Sequence, residues 1–284
     1  MDKLILDIAP QYLAPKGYRA RAEISAELGK YYEEVAANEV QASEYARARY
    51  VAAERYGIDY LNQGRLDVGG LVGVLANTIP ATFYMLAQIY ADKTLLKDVR
   101  AELETISTMV DGQTRCISVQ TMRDDCPLLN SVFSEVLRVH ALGSGARFVR
   151  EDITLDGQYL LKKGMVVQMP GAVMHSDPAH WGADAHEFQP RRFLGKSKGS
   201  TYRPFGGGAN LCPGRFFVRL EILMLTASLV LRYDIDPADG SPWRIPKQRA
   251  ASLATSVFPP EKDVKVKVTE RKGYSGVKWR LDVT

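Results

Sequence analysis

The stretch RPFGGGANLCPGRFF, residues 203–217, sets one cysteine between a glycine cluster and Pro-Gly-Arg. Pro213 suits the first position of a helix, where its missing N–H would have no partner anyway. Cys212 then sits at a helix entrance, where unpaired N–H groups and the positive dipole end favour negative charge on sulfur. The thiolate is the form of cysteine that binds metal. Gly206, Gly207 and Gly208 let the backbone turn tightly and approach a flat ligand, and Gly214 allows the same on the other side. Three chemistries compete for this pattern. One is a buried structural cysteine. A second is a phosphate cradle, but the Gly-Lys-Ser/Thr ending that it needs is absent. The third, a single thiolate donated to a haem iron, accounts for the phenylalanine, the glycines and the helix entrance together.

The stretch resembles the haem-binding signature of the cytochrome P450 family, Phe-x-x-Gly-x-x-x-Cys-x-Gly, met by Phe205, Gly208, Cys212 and Gly214. The resemblance implies heme b with Cys212 as axial iron ligand and Phe205 shielding its sulfur. It departs at Asn210, where the family usually has a basic residue reaching a haem propionate. An amide still donates a hydrogen bond there, without the charge.

Glu135 and Arg138 form Glu-x-x-Arg at helical spacing and so share one face. On its own the pair reads as a solvated surface contact. EFQPRRF at 187–193 matches the family's Pro-x-Arg-Phe segment, and the resemblance then implies a buried structural network of Glu135, Arg138 and Arg192. It also implies a second propionate ligand in Arg147.

LANTIPATFYMLAQIYAD, starting at Leu75, resembles the oxygen-binding helix of the subgroup containing cholesterol 7α-hydroxylase and prostacyclin synthase. Most of the family carries an acid followed by threonine; here Ala76 and Asn77 fall at those places. Pro80 supplies no N–H and crowds the carbonyl four residues earlier, at Ala76. The expectation is that this carbonyl, Asn77 and Thr78 hold a water on the distal side of the haem, with Asn77 and Thr78 as the catalytic pair. The alternative is a buried helix that tolerates a proline kink.

These groups need elements to position them. Residues 14–56 have helical character, with Gly57 and Asn62–Gly64 as breaks. Helices are predicted from about 65 to 91, from Lys93 to Met109, over 128–142 and from Pro213 to Arg232. Turns at Asp156–Gly157 and Lys163–Gly164 among β-branched residues mark strands and hairpins after Gly143. Residues 175–202 read as irregular, and an alternating Val/Lys strand ends the tail. The fold class is mainly α with small β-sheets, α+β, and P450-like by resemblance. It reads as one partial domain over 1–284: helical 12–142, β-rich and irregular 143–202, haem loop and helix 203–232, terminal strands 233–284.

Composition is that of a soluble globular chain: 46% hydrophobic, 25% charged, net charge +4. That charge is too mild to indicate nucleic acid. Three cysteines without close pairing argue against a disulfide framework. His140, His175, His180 and His186 lack zinc spacing and read as ordinary. The N-terminal run is interrupted by Asp2, Asp7 and Pro10, so it is neither signal peptide nor membrane span, and 68–91 reads as a buried core helix. Arg203, Arg215 and Arg219 are either a solvated face or a basic surface for an acidic electron donor.

By resemblance, the chain corresponds to the C-terminal, haem-binding portion of a haem-thiolate monooxygenase. Such an enzyme uses O2 and electrons from NADPH-cytochrome P450 reductase or a similar donor on a lipophilic sterol-like or secondary-metabolite substrate. Ala76, Pro80, Leu142–Ala146 and Leu253–Thr255 are the expected pocket contributors. The family's N-terminal anchor, first strands and roof helices have no counterpart in this reading. Endoplasmic reticulum association is implied by the family alone, and with no anchor expected in the chain the alternative is a cytoplasmic location. Two rivals stay open: a haem-thiolate isomerase acting on a peroxide without reductase, and an inactive fragment.

Overall fold

The computed structural model describes residues 9–196, 198–249 and 255–282. They belong to two compact units, Met1–Ala76 with Ser252–Ala254, and Asn77–Ala251 with Thr255–Thr284. In chain order the first unit holds α1 (Pro10–Leu13), α2 (Pro15–Ala36), α3 (Glu44–Arg55) and the start of α4 (Tyr60–Ala91).

The helical stretch expected over 14–56 is broken between α2 and α3. Asn38 takes a left-handed φ of 57°, and the Ser43 side chain accepts the N–H of Ala46 as an N-cap. Conversely, Asn62–Gly64 does not break the chain; α4 runs straight through it. The reason is a close helix crossing. A Cβ on Gly64 would lie 2.1 Å from the Ser25 carbonyl oxygen and 2.8 Å from the Gly29 nitrogen of α2. Glycine here serves packing, and its low helix propensity is overridden. Asp67 of α4 fastens the crossing by accepting the Tyr32 hydroxyl at 2.5 Å and pairing with the Arg49 guanidinium.

The second unit continues with the rest of α4, then α5 (Lys93–Thr105), β1 (Ser107–Met109), β2 (Thr114–Ser118), α6 (Val119–Asp125) and α7 (Pro127–His140). Next come β3 (Ser144–Phe148), β4 (Ile153–Leu155), β5 (Tyr159–Leu161), β6 (Val166–Pro170), α8 (Gly171–Ser176) and α9 (Pro178–Trp181). A 3₁₀ turn (Gly208–Asn210) leads to α10 (Arg215–Arg232), β7 (Tyr233–Pro237), β8 (Val266–Glu270) and β9 (Lys278–Asp282). Its core joins Ala81–Tyr90 of α4 to Leu95–Leu103 of α5, the apolar face of α7 and Ile222–Leu231 of α10. By length and composition α4 could cross a membrane, yet its second half lies in this core. Leu71, Val74, Leu75 and Ile79 are exposed, so the expectation of a buried helix holds for only part of 68–91.

The sheets are small. β1, β2 and β9 form one of three strands, with β2 and β9 parallel; β3–β6, β4–β5 and β7–β8 are antiparallel pairs. The Asp156–Gly157 turn has positive φ at both residues, 51° and 66°, as a tight hairpin requires. The mainly helical architecture with small sheets agrees with the expected class.

Candidate functional site

Helix α7 organises the region behind Cys212. Ser131 Oγ accepts the N–H of Phe193 at 3.1 Å, and the Ser134 carbonyl accepts the Tyr202 hydroxyl at 3.1 Å. Glu135 and Arg138 follow these contacts on the same helix. They are 0% and 1% exposed, so the reading of the isolated pair as a surface contact fails.

Every donor of the Arg138 guanidinium is used. Nε and Nη2 donate to the two oxygens of Glu135, both at 2.7 Å. Nη1 donates to the carbonyls of His175 (2.6 Å) and Ala185 (2.5 Å), and Nη2 also to that of Glu187 (2.8 Å). Five N–H groups therefore meet five oxygens, the condition under which a buried arginine is tolerated. Glu135 also accepts the backbone N–H of Gln189 at 2.8 Å and Nε of Arg192 at 3.1 Å. Arg192 continues outward to the Trp181 carbonyl and to Asp184. The structure thus brings Glu135, Arg138 and Arg192 together and uses them to fold residues 175–192 onto α7. The segment expected to be irregular opens on the end of α8 and contains α9, which is capped by Asp177 and opened by Pro178.

The cysteine loop is held from inside and from the side. The N–H of Cys212 donates to the Phe205 carbonyl at 3.0 Å, and Leu211 N–H to that of Gly208 at 3.1 Å. Gly206 and Gly208 adopt φ of 75° and 65°, the left-handed region that favours glycine. Phe205 packs against the core. Arg147 on β3 reaches across, its Nη2 donating to the Gly207 carbonyl at 2.9 Å. Asn210 is exposed within the 3₁₀ turn.

α10 starts at Arg215, two residues later than expected: Pro213 and Gly214 form a turn, and Gly214 is the N-cap. Cys212 accordingly lies just ahead of the cap, and its carbonyl accepts Arg215 Nη1 at 3.0 Å. Of the three flanking arginines, Arg219 is half-buried and donates twice to Asn130 Oδ1, which takes it out of any freely solvated face.

Asn77 makes a contact that the sequence did not suggest. Its Oδ1 accepts the backbone N–H groups of Ser256 (2.7 Å) and Val257 (3.0 Å). The same loop is tied to the end of α7, where Leu142 N–H donates to the Ser256 carbonyl and Ala141 bridges Val257. A Cβ on Gly143 would lie 2.3 Å from Ser256 Oγ, so the absence of a side chain at 143 leaves room for the serine. Thr78 is buried, and its carbonyl accepts the Thr82 hydroxyl. Among the expected pocket contributors, Leu253 and Ala254 lie outside the described residues. Replacing Asn77 with alanine would orphan two N–H groups, each worth about 1–3 kcal/mol when left unsatisfied. Asn77→Ala is expected to lower the thermal midpoint and Asn77→Asp, which keeps the acceptor, to lower it less; equal midpoints would refute the clamp.

Two residues escaped sequence reasoning. His175 is 1% exposed, and its Nε2 accepts the Arg203 N–H at 3.0 Å. Tyr202 stacks on it at 5.9 Å. A lone histidine in the last turn of a six-residue helix carries no periodic signal to mark it.

The Cytochrome P450 family model matches residues 71–266, well over half of the chain. The chain belongs to the cytochrome P450 family. It is 32% identical over its whole length to cytochrome P450 monooxygenase nodJ of Hypoxylon pulicicidum, covering 58% of that protein. It is 31% identical over 92% of its length to a cytochrome P450 monooxygenase of Gibberella zeae, covering 53% of it. Cholesterol 7-alpha-monooxygenase of Cricetulus griseus is 26% identical over 91% of this chain and is covered for 55%. The chain therefore spans little more than half the length of these relatives. The solved structure described as retinoic acid bound cyanobacterial CYP120A1 shares the fold, with a TM-score of 0.69 over 92% of this P450 chain and 59% of that one, at 23% identity.

Membership implies haem as cofactor, and the residues fit one. Cys212 is a free, half-buried thiol. A Cβ on Gly208 would meet open space, while one on Gly214 would stand 3.9 Å from the Cys212 sulfur, in van der Waals contact with it. Soft sulfur on a glycine loop with a guanidinium alongside suits a metalloporphyrin that carries carboxylates.

Proposed function

We propose that this chain is the haem-binding portion, one partial domain, of a haem-thiolate monooxygenase that inserts one atom of O2 into a lipophilic sterol-like or secondary-metabolite substrate. The observation that carries the reading is the Cys212 loop itself, a free thiol fixed through its own N–H to Phe205 within the span matched to the family. In that reading Cys212 ligates the iron of heme b and Phe205 covers the sulfur. Gly208 and Gly214 keep the backbone clear of the porphyrin. Arg147 and Asn210 meet the propionates, Arg147 through the donors that Ala146 and Gly207 leave unused. A thiolate-held haem supplies dioxygen activation when electrons arrive, here from NADPH-cytochrome P450 reductase or a similar donor.

Asn77 and Thr78 keep their assignment as the distal polar pair, now with a division of labour. The Asn77 oxygen is spent on Ser256 and Val257. What remains to it is an NH₂ that donates hydrogen bonds. An amide orients a water without passing on a proton of its own. This gives weight to a second reading, an isomerase that rearranges a peroxide without a reductase. Endoplasmic reticulum association belongs to the proposal by family analogy.

The test is spectroscopic. Protein expressed with haem supplied, then reduced under CO, is expected to give the red-shifted Soret band of thiolate ligation. Its absence overturns the proposal in favour of an inactive fragment. Turnover with NADPH and reductase, against turnover with a peroxide alone, separates monooxygenase from isomerase.

A further inference from the structure

We propose that His175 is a positioning residue for the cysteine loop, its unprotonated Nε2 fastening that loop to the buried Arg138. This rests on the reading of Cys212 as the haem ligand only for its functional meaning; the positioning itself is a property of the fold.

The contacts form one continuous line. Glu135 holds Arg138, and Arg138 Nη1 holds the carbonyl of His175 at 2.6 Å. The imidazole of the same residue turns to the next segment and accepts the Arg203 N–H at 3.0 Å. Arg203 in turn accepts the N–H of Gly206 at 3.1 Å, and Phe205 accepts that of Cys212 at 3.0 Å. His175 is thus the one side-chain acceptor in a relay otherwise made by backbone and the Glu–Arg pair. Tyr202, packed on the ring and just ahead of Arg203, donates its own hydroxyl to the Ser134 carbonyl. Residues 202 and 203 are therefore gripped from two sides.

The role demands one protonation state. A backbone N–H can be accepted only by a nitrogen with a free lone pair, so the ring proton belongs on Nδ1. Burial holds the pKa of His175 below the ordinary histidine value, and the nearby Arg138 charge acts the same way. Nδ1 is buried and makes no hydrogen bond among the described residues, so the ring is held through Nε2 and by its packing on Tyr202.

The test uses two amides of different reach. Glutamine at 175 places its oxygen near the position of Nε2, whereas asparagine falls short by one methylene. Native-state hydrogen exchange on the full chain without haem reads the result. In the unsubstituted protein the Arg203 and Cys212 amides should exchange at least about tenfold more slowly than those of Gly199 and Ser200. His175→Asn should raise exchange at both by about tenfold or more, and His175→Gln should restore most of the protection. The amides of Tyr84–Ile89 in the core should hold steady in both variants, showing that the unit stays folded. An unprotected Arg203 amide in the unsubstituted chain overturns the proposal without any variant, as does a glutamine variant that exchanges like the asparagine one. With haem supplied, the asparagine variant should also lose part of its thiolate–CO band at unchanged haem content. If no variant and no parent binds haem while the exchange pattern holds, the monooxygenase reading falls and the positioning role stands.

Discussion

Arg138→Met is expected to destabilise the second unit by about 3–5 kcal/mol, the cost of leaving a buried charge without its partner. Methionine fills a similar volume, so the loss is electrostatic and not one of packing. Glu135, fully buried, would keep only Arg192 and one backbone N–H. The carbonyls of His175, Ala185 and Glu187 would lose their donor together. Against a total stability of roughly 5–15 kcal/mol for a typical domain, such a loss is severe. Urea unfolding followed by circular dichroism measures it. The contrast is Asp184, whose side chain is 43% exposed where it pairs with Arg192. Asp184→Asn should shift the midpoint little, because solvent screens that end of the network. A shift below about 1 kcal/mol for Arg138→Met would show that the cluster is not what holds residues 175–192 on α7.

The second large effect is functional. Cys212→Ala should abolish the thiolate–CO band of haem-loaded protein while leaving the unfolding midpoint nearly unchanged. The thiol is half-buried, and the loop is held by its backbone, which alanine keeps. The other two cysteines make the control. Cys116 and Cys126 are buried, and burial pushes the Cys126 thiol up to about 12, so it has no thiolate to offer near neutral pH. Cys126→Ala and Cys116→Ala should retain the band. A band that survives in Cys212→Ala would assign the iron to another side chain.

Much of this was legible in the residues. Phe205, Gly208, Cys212 and Gly214 stand at a spacing that few other chemistries would need, and periodicity marked helices α4, α5, α7 and α10. What stayed hidden was tertiary. Gly64 looked like a breaker because propensity is local, while the crossing that demands it involves Ser25 and Gly29 far upstream. β2, β7 and β9 are five residues each, too short for alternation to stand out from loop sequence. Asn77 reads as a distal-site residue by position, yet its two partners come from a segment nearly two hundred residues on. Hydrogen bonds of that span leave no trace in a linear pattern.

The parallel pairing of β2 with β9 has a bearing on biosynthesis. Thr114 cannot find its neighbour until Lys278 has been translated, and Trp279 and Leu281 from the same strand complete the hydrophobic cluster. Until then the ribosome presents β2 with β1 alone, a hairpin with one edge open. Such an edge recruits foreign strands while it waits. Slow elongation between the two strands would lengthen that wait.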